Sequence, residues 1–137
     1  MNNSSVWQSL RDEATAVASR ERILAKVLTE YVLERSSLED ALSWRLSSRL
    51  AKGAVPSNDL RELLLHAYDS VPTIIKSIER DLEAVKERDP ACDDFISPFL
   101  YFKGFQALSA YRVSHWLWEE GRKDLALYLQ SLISVVY

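Results

Sequence analysis

Residues that break regular structure are scarce in this chain, with three glycines and four prolines among 137 residues. All-β architectures need many turns, and turns rely on glycine and proline. The scarcity therefore disfavours a sandwich or a barrel and favours long helices joined by short connections. Because the chain is long enough for one domain with a real core, we predict an all-α array of about six to eight helices with short loops.

Start and stop signals divide the first part of the chain into helices. Ser5 followed by Gln8 is typical of a capping box at the start of the first helix. A second helix is predicted over residues 20–34. Ser37 with Asp40 resembles a weaker cap for a third helix. The positions expected to face the core in these helices are Val6, Leu10, Ala14, Val17, Leu24, Val27, Leu28, Tyr31, Val32, Leu38, Ala41, Leu42, Leu46 and Leu50.

Proline and glycine mark the predicted helix ends and starts in the second part of the chain. Gly53 and Pro56 are expected to end the third helix, and a fourth opens at Ser57. The fifth starts near Pro72, and Pro90 ends it by pushing the preceding residue out of the helical region. Core positions predicted here are Leu60, Leu63, Leu64, Ala67, Ile75, Ile78, Leu82 and Val85.

The remaining helices follow a short loop. Ser97 is predicted to cap a helix that begins at Pro98, bends or breaks near Gly104 and runs to residue 118. Gly121 suits the position just after a helix end. A last helix then begins near residue 122, and its inward positions are Leu125, Leu129, Leu132 and Ile133.

Charge and composition exclude several classes of function. The net charge is −3, and without a basic tract nucleic-acid binding is not expected. No apolar segment is long enough to span a bilayer, and the N-terminus lacks the features of a signal peptide. With one cysteine, Cys92, no internal disulfide can form, so we expect a cytoplasmic protein.

Catalytic and metal-binding patterns are missing. His66 and His115 lie far apart, and neither has a second ligand at metal spacing, so no metal site is predicted. Cys92 has no histidine nearby in sequence, and no nucleophile–base pair or glycine-rich phosphate loop is visible. An independent active site within these residues is therefore not expected.

Carboxylates crowd the region before the aromatic helix. Most are expected to be solvated: Glu79, Asp81, Glu83, Glu87, Asp93 and Asp94. Asp89 differs because it stands at a proline-terminated helix end, in a fixed non-helical backbone. Such a carboxylate can point into a cleft and pair with a ligand ammonium group. It can equally cap a neighbouring turn, and the spacing leaves both interpretations open.

Seven aromatic residues lie within twenty positions of one predicted helix. They are Phe99, Tyr101, Phe102, Phe105, Tyr111, Trp116 and Trp118. Without a basic groove for a nucleic acid, packing in the core or at an interface is expected. The chain then ends in the apolar, β-branched run 132–137, and because free ends are usually polar we expect it to continue into a strand-rich region.

One block carries a family pattern. It consists of Arg88-Asp89-Pro90-Ala91, then Ser97-Pro98-Phe99-Leu100-Tyr101-Phe102-Lys103-Gly104-Phe105-Gln106-Ala107-Leu108, then Ala110-Tyr111-Arg112-Val113 and His115-Trp116-Leu117-Trp118. Further matches are Leu42-Ser43-Trp44-Arg45-Leu46 and residues 81–85. In these segments the chain resembles the bacterial serine O-acetyltransferase family, and the likeness covers nearly all of it, more weakly before Leu38.

The resemblance implies an all-α N-terminal domain followed by a left-handed β-helix of hexapeptide repeats. It also implies an enzyme that transfers acetyl from acetyl-CoA to the hydroxyl of L-serine, giving O-acetylserine in cysteine biosynthesis, with L-cysteine inhibiting at the serine site. Members of the family self-associate as hexamers, built as dimers of trimers that the helical domains join. No membrane or nucleic acid is involved.

The chain departs from that pattern by stopping at Tyr137, about where the family turns toward the β-helix. The catalytic His with its Asp, the Arg for the substrate carboxylate and the acetyl-CoA surface belong to the later part. Residues 1–137 are therefore predicted to be the helical domain alone, without the hexapeptide-repeat domain, without a catalytic residue or bound cofactor, and inactive by themselves.

Two residues carry the family's site into this chain. Asp89 maps to the Asp of the Arg-Asp-Pro motif, which in the family lines the serine site and pairs with the amino group of serine or cysteine. Pro90 shapes the loop beside it. The resemblance thus implies Asp89 and Pro90 as the substrate-binding residues.

Two other functions remain open from sequence. The chain could be a stand-alone, non-catalytic helical module for oligomerisation or interaction, and the codons after Tyr137 discriminate: an immediate stop favours the module, and hexapeptide repeats favour the enzyme. A helix-turn-helix DNA binder is disfavoured by the acidic pI of about 5.4.

Overall fold

The computed structural model describes residues 5–137, and in that part of the chain it contains eight α-helices and no strand. The helices are α1 (Ser5–Arg20), α2 (Ala25–Leu28), α3 (Leu38–Leu50), α4 (Ser57–Ser70), α5 (Thr73–Arg88), α6 (Ile96–Tyr101), α7 (Lys103–Glu119) and α8 (Lys123–Val136). The prediction of an all-α array with six to eight helices is confirmed.

All eight helices contribute to one apolar core. α3 packs against α4 and α7 against α8, while α6 lies against α1, α5 and α7. The largest side chains that are completely buried are Leu10, Leu28, Leu42, Leu46, Leu50, Leu64, Ile78, Leu82, Phe99, Leu100, Leu117 and Leu129. Most of them are positions that the helical spacing predicted to face inward.

The predicted cap of α3 is confirmed. The Ser37 hydroxyl accepts a hydrogen bond from the Asp40 N–H at 3.1 Å, and the Asp40 carboxylate accepts one from the Ser36 N–H at 2.9 Å. α3 ends at Leu50, before Gly53. Gly53 lies close to α8: a Cβ at this position would be 2.6 Å from the Tyr128 hydroxyl, so that side chain would have to shift.

Within the described residues, no hydrogen bond of the predicted capping box joins Ser5 and Gln8. The described part of α1 begins at Ser5, and the residues before it lie outside the described part of the chain. The Gln8 amide donates to Asp12 at 3.2 Å, one turn further along the helix, instead of reaching back to Ser5.

The single helix predicted over residues 20–34 is a composite segment. It consists of a 3₁₀ turn (Arg22–Leu24), the one-turn helix α2 and a π-helical turn (Thr29–Leu33). Arg11 on α1 donates to the carbonyls of Leu33 and Arg35, each at 3.3 Å, so the end of this segment is held by a contact that local spacing does not reveal.

The prediction that Ser97 caps a helix beginning at Pro98 is wrong. Helix α6 begins at Ile96 instead, because the carboxylates of Asp94 and Glu13 accept hydrogen bonds from the N–H groups at its start. The Asp94 carboxylate accepts from the Ser97 N–H at 3.0 Å. One carboxylate oxygen of Glu13, on α1, accepts from the N–H groups of Phe95 and Ile96 at 2.9 and 3.0 Å. Pro98 has no N–H, so its place in the first turn leaves no donor unpaired.

The far end of α6 is also held by other helices. Arg45 on α3 donates to the Leu100 carbonyl through Nε at 3.0 Å and through Nη2, and Gln106 on α7 donates to the same oxygen at 2.9 Å. The break predicted near Gly104 lies two residues earlier, at Phe102, whose backbone is extended.

The turn from α7 to α8 follows the prediction for Gly121. This glycine has φ +81°, a left-handed conformation that favours glycine. The Arg122 N–H donates to the Leu117 carbonyl at 2.9 Å, which closes the end of α7.

Candidate functional site

An open groove lies between the C-terminal end of α5 and the N-terminal end of α7. Its volume is about 690 Å³. The lining is mostly apolar and consists of Asp81, Ala84, Val85, Arg88, Asp89, Pro90, Phe102, Gly104, Phe105 and Leu108. Both residues predicted from the family resemblance, Asp89 and Pro90, therefore lie in the wall of one groove.

Asp89 stands at the helix stop that proline imposes. Its backbone is extended, with φ −95° and ψ 108°, as expected for a residue before proline. One carboxylate oxygen, Oδ1, accepts from the Ala91 N–H at 2.9 Å, and the Asp89 carbonyl accepts from the Cys92 N–H at 2.9 Å. No partner for Oδ2 is found within residues 5–137. One carboxylate oxygen therefore caps a turn, as one of the two interpretations predicts, and Asp89 lies in the groove wall, as the other requires.

Asp81 does not follow the expectation of a solvated carboxylate. Its two oxygens accept from Nε and Nη2 of Arg112 on α7, both at 2.9 Å, and the two side chains are 17% and 31% exposed. This bidentate ion pair joins α5 to α7 beside the groove. The spacing of 31 residues carries no signal by which sequence could have paired them.

The remaining polar candidates do not converge on the groove. His66 and His115 are exposed on α4 and α7, and His115 lies 3.4 Å from Glu119 one turn along its own helix. Cys92 is buried, with its Sγ 3.2 Å from the Asp94 carbonyl. Within residues 5–137 no cluster of three or more metal-ligating side chains occurs, and no helix is both long and apolar enough to span a bilayer.

The aromatic residues divide between core and surface. Phe99 and Phe105 are buried, and Phe102 and Trp116 are half-buried. Tyr111 and Trp118 are 47% and 42% exposed. Packing in the core, predicted for this block, is thus confirmed for part of it, and α7 keeps an aromatic face toward solvent.

Glu13 is the residue near the site that sequence reasoning missed. Burial raises the pKa of its carboxyl above the ordinary value of 4.5, and the negative charge of Asp94 acts in the same direction. The N–H groups of Phe95 and Ile96 and the positive charge of Lys86 oppose that shift without cancelling it. Two backbone N–H groups thus hold the Glu13 carboxyl group in surroundings whose burial disfavours its ionised form.

The raised pKa of Glu13 predicts a pH-dependent contribution to stability. Because the folded state binds the Glu13 proton more tightly, the contribution is fully present below the unfolded pKa and is lost as pH rises through the folded pKa. We expect the free energy of unfolding of the wild type, minus that of Glu13→Gln, to fall over this window and then level off. Urea denaturation at a series of pH values measures this difference. Asp12→Asn removes an exposed carboxylate from the same helix, and the same slope in that control would contradict the assignment.

Taken together, the fold and the groove define an all-helical domain with an open, largely apolar cleft whose wall includes Asp89. The sequence matches the family described as serine acetyltransferase, N-terminal, over residues 6–110. The chain belongs to this family.

Known relatives and solved structures agree over almost the whole chain. The serine acetyltransferase of Haemophilus influenzae is 44% identical over 132 residues, which are 96% of this chain and 49% of the relative. A structure of serine acetyltransferase in complex with CoA matches with a TM-score of 0.93 at 44% identity, covering 96% of this chain and 56% of that one. A complex with cysteine gives 0.94 at 43% identity, covering 99% and 56%. The chain spans about half the length of the curated relatives that it matches.

Proposed function

We propose that this chain is the N-terminal part of a cytoplasmic serine O-acetyltransferase, which transfers acetyl from acetyl-CoA to L-serine in cysteine biosynthesis. The observation that carries the proposal is the match to serine acetyltransferases over residues 6–110 and at 44% identity over 132 residues. We further propose that a hexapeptide-repeat β-helix follows residue 137 and holds the catalytic residues and the acetyl-CoA surface.

The role proposed for the groove is to form one wall of the amino-acid site. Asp89 would pair with the ammonium group of serine, or of cysteine when cysteine inhibits, and Pro90 would hold the backbone that places it. Three features support this role: the fixed extended backbone of Asp89, the turn that its Oδ1 caps, and its place in the groove wall. An ammonium group beside a carboxylate forms a charge-assisted hydrogen bond, which is about twice as strong as a neutral one.

The helical domain is also proposed to take part in assembly, as the family resemblance implies. One face of α7 supports this, because Leu108, Tyr111 and Trp118 are 40%, 47% and 42% exposed. Large apolar side chains left in contact with water along one helix face are typical of surfaces that bind another protein.

The proposal predicts that residues 1–137 alone do not catalyse acetyl transfer. The reaction needs a base to deprotonate the serine hydroxyl and donors for the tetrahedral oxyanion, and both are assigned to the following domain. Release of the CoA thiol from acetyl-CoA in the presence of L-serine measures turnover. We expect no release above the uncatalysed rate with the 137-residue chain and clear release with the longer protein. Turnover by the shorter chain would overturn the proposal.

A further inference from the structure

The loop that carries Asp89 is fixed at both ends, and the two ends are held in different ways. This Asp89 loop comprises residues 89–95, between α5 and α6. At its start the fixation is local, through Pro90 and the turn that Asp89 caps. At its end the fixation comes from α1, where Glu13 accepts the N–H groups of Phe95 and Ile96 across 82 and 83 positions of sequence.

Glu13 is the side chain that accepts the N–H groups of Phe95 and Ile96. The nearest carboxylate in sequence, Asp94, accepts the Ser97 N–H at 3.0 Å instead. Phe95 and Ile96 are 8% and 4% exposed, so water has little access to this end of the loop. Without Glu13, two buried donors would lose their partner, and buried donors without a partner are strongly disfavoured.

The charges that face Glu13 come from two other elements. Asp94 belongs to the loop itself, and Lys86 belongs to α5, where its ammonium group lies 4.5 Å from the centre of the Phe95 ring. Glu13 thus contacts the loop end directly and interacts with Lys86 in the last turn of α5, the helix that ends at Arg88. A change at Glu13 therefore acts on the loop end and on the base of the loop together.

We propose that Glu13 is a positioning residue for the amino-acid site: by holding the end of the Asp89 loop to α1, it fixes the place of the Asp89 carboxylate in the groove. The proposal rests on the function proposed above for Asp89. Glu13 itself contacts no reacting atom, and its effect passes through the backbone of residues 89–95.

Cys92 offers a direct measurement of the loop, because it is the one cysteine of the chain and is 5% exposed at the middle of the loop. Its rate of labelling by a thiol reagent reports how often the loop opens. We expect Glu13→Ala to raise this rate about tenfold or more, since a lost buried partner shifts an equilibrium by about that factor. Glu13→Gln should label near the wild-type rate, because its amide oxygen accepts the same two N–H groups.

One control and one further variant test whether the effect on labelling is specific to the reach of the Glu13 carboxylate. Asp12→Ala removes an exposed carboxylate next to Glu13 on α1 and should leave Cys92 labelling unchanged. Glu13→Asp keeps the charge, shortens the reach and should raise the rate, which provides a test if the alanine variant does not fold. Labelling of folded Glu13→Ala or Glu13→Asp at the wild-type rate would overturn the proposal.

Kinetics of the longer enzyme then separate this proposal from the one on which it rests. We expect Glu13→Ala to raise the KM for serine and the inhibition constant for cysteine several-fold, with a smaller change in kcat, and Glu13→Gln to restore both. If Asp89 variants alter these constants but Glu13→Ala does not, the positioning role fails while the site assignment stands. If Asp89 variants alter neither constant, the site assignment itself fails.

Discussion

Replacing Asp89 by asparagine in the full-length enzyme is expected to raise the KM for serine and the inhibition constant for cysteine together, each by about 10- to 100-fold. The two constants should change together because, under the proposed function, both ligands would present the same ammonium group to the same carboxylate. A hydrogen bond to a charged group contributes about 1.5–3 kcal/mol, which sets the size of the effect. Initial rates over a range of serine and cysteine concentrations measure both constants.

Asparagine is the informative substitution because it separates the two functions of this side chain. Its amide oxygen can still accept the Ala91 N–H, so the turn that Asp89 caps is kept. The negative charge that would bind ammonium is removed. Asp93→Asn removes an exposed carboxylate from the same loop and serves as the control, with both constants expected near wild type. Normal serine use and normal cysteine inhibition in Asp89→Asn would show that the groove does not hold the amino group.

Replacing Phe99 by alanine is expected to lower the free energy of unfolding by about 3–5 kcal/mol. Phe99 lies in the middle of α6, is 0% exposed and belongs to the single apolar core. The substitution removes buried apolar area and leaves a cavity where α6 lies against α1, α5 and α7. Urea denaturation followed by far-UV circular dichroism measures the loss.

The matched control for Phe99 lies on the same short helix. Tyr101 is 52% exposed, and Tyr101→Ala should change stability by no more than about 0.5 kcal/mol. A loss of several kcal/mol in the tyrosine variant, or a small loss in the Phe99 variant, would contradict the assignment of core and surface on α6.

Several features decided by neighbours in sequence could be predicted, and features decided by distant contacts could not. The cap at Ser37 and the stop before Pro90 depend on residues within four positions, and both are present in the structure. The start of α6 depends on Glu13, 82 positions away, and sequence therefore placed it wrongly at Pro98.

The same distinction holds for the site. The proline that follows Asp89 and ends α5 marked this residue as unusual in the sequence. From spacing alone, however, Asp89 could equally cap a turn or contact a ligand. Only the family resemblance favoured one residue, and only the fold showed that Asp89 and Pro90 share a groove with Phe105. The pairing of Asp81 with Arg112 across two helices had no local signal at all.

The support of α6 by other helices has a consequence for the order of folding. An isolated helix of six residues is far too short to be stable in water, because the unfavourable free energy of helix nucleation exceeds the stabilisation that so few hydrogen bonds provide. We therefore expect α6 to become helical only when Glu13 at one end and Arg45 at the other have reached it from 82 and 55 positions away. Contacts so distant in sequence form late, since the chain between them must first be ordered. We therefore expect the helix that follows the Asp89 loop to be completed late in folding, once the two halves of the chain have met.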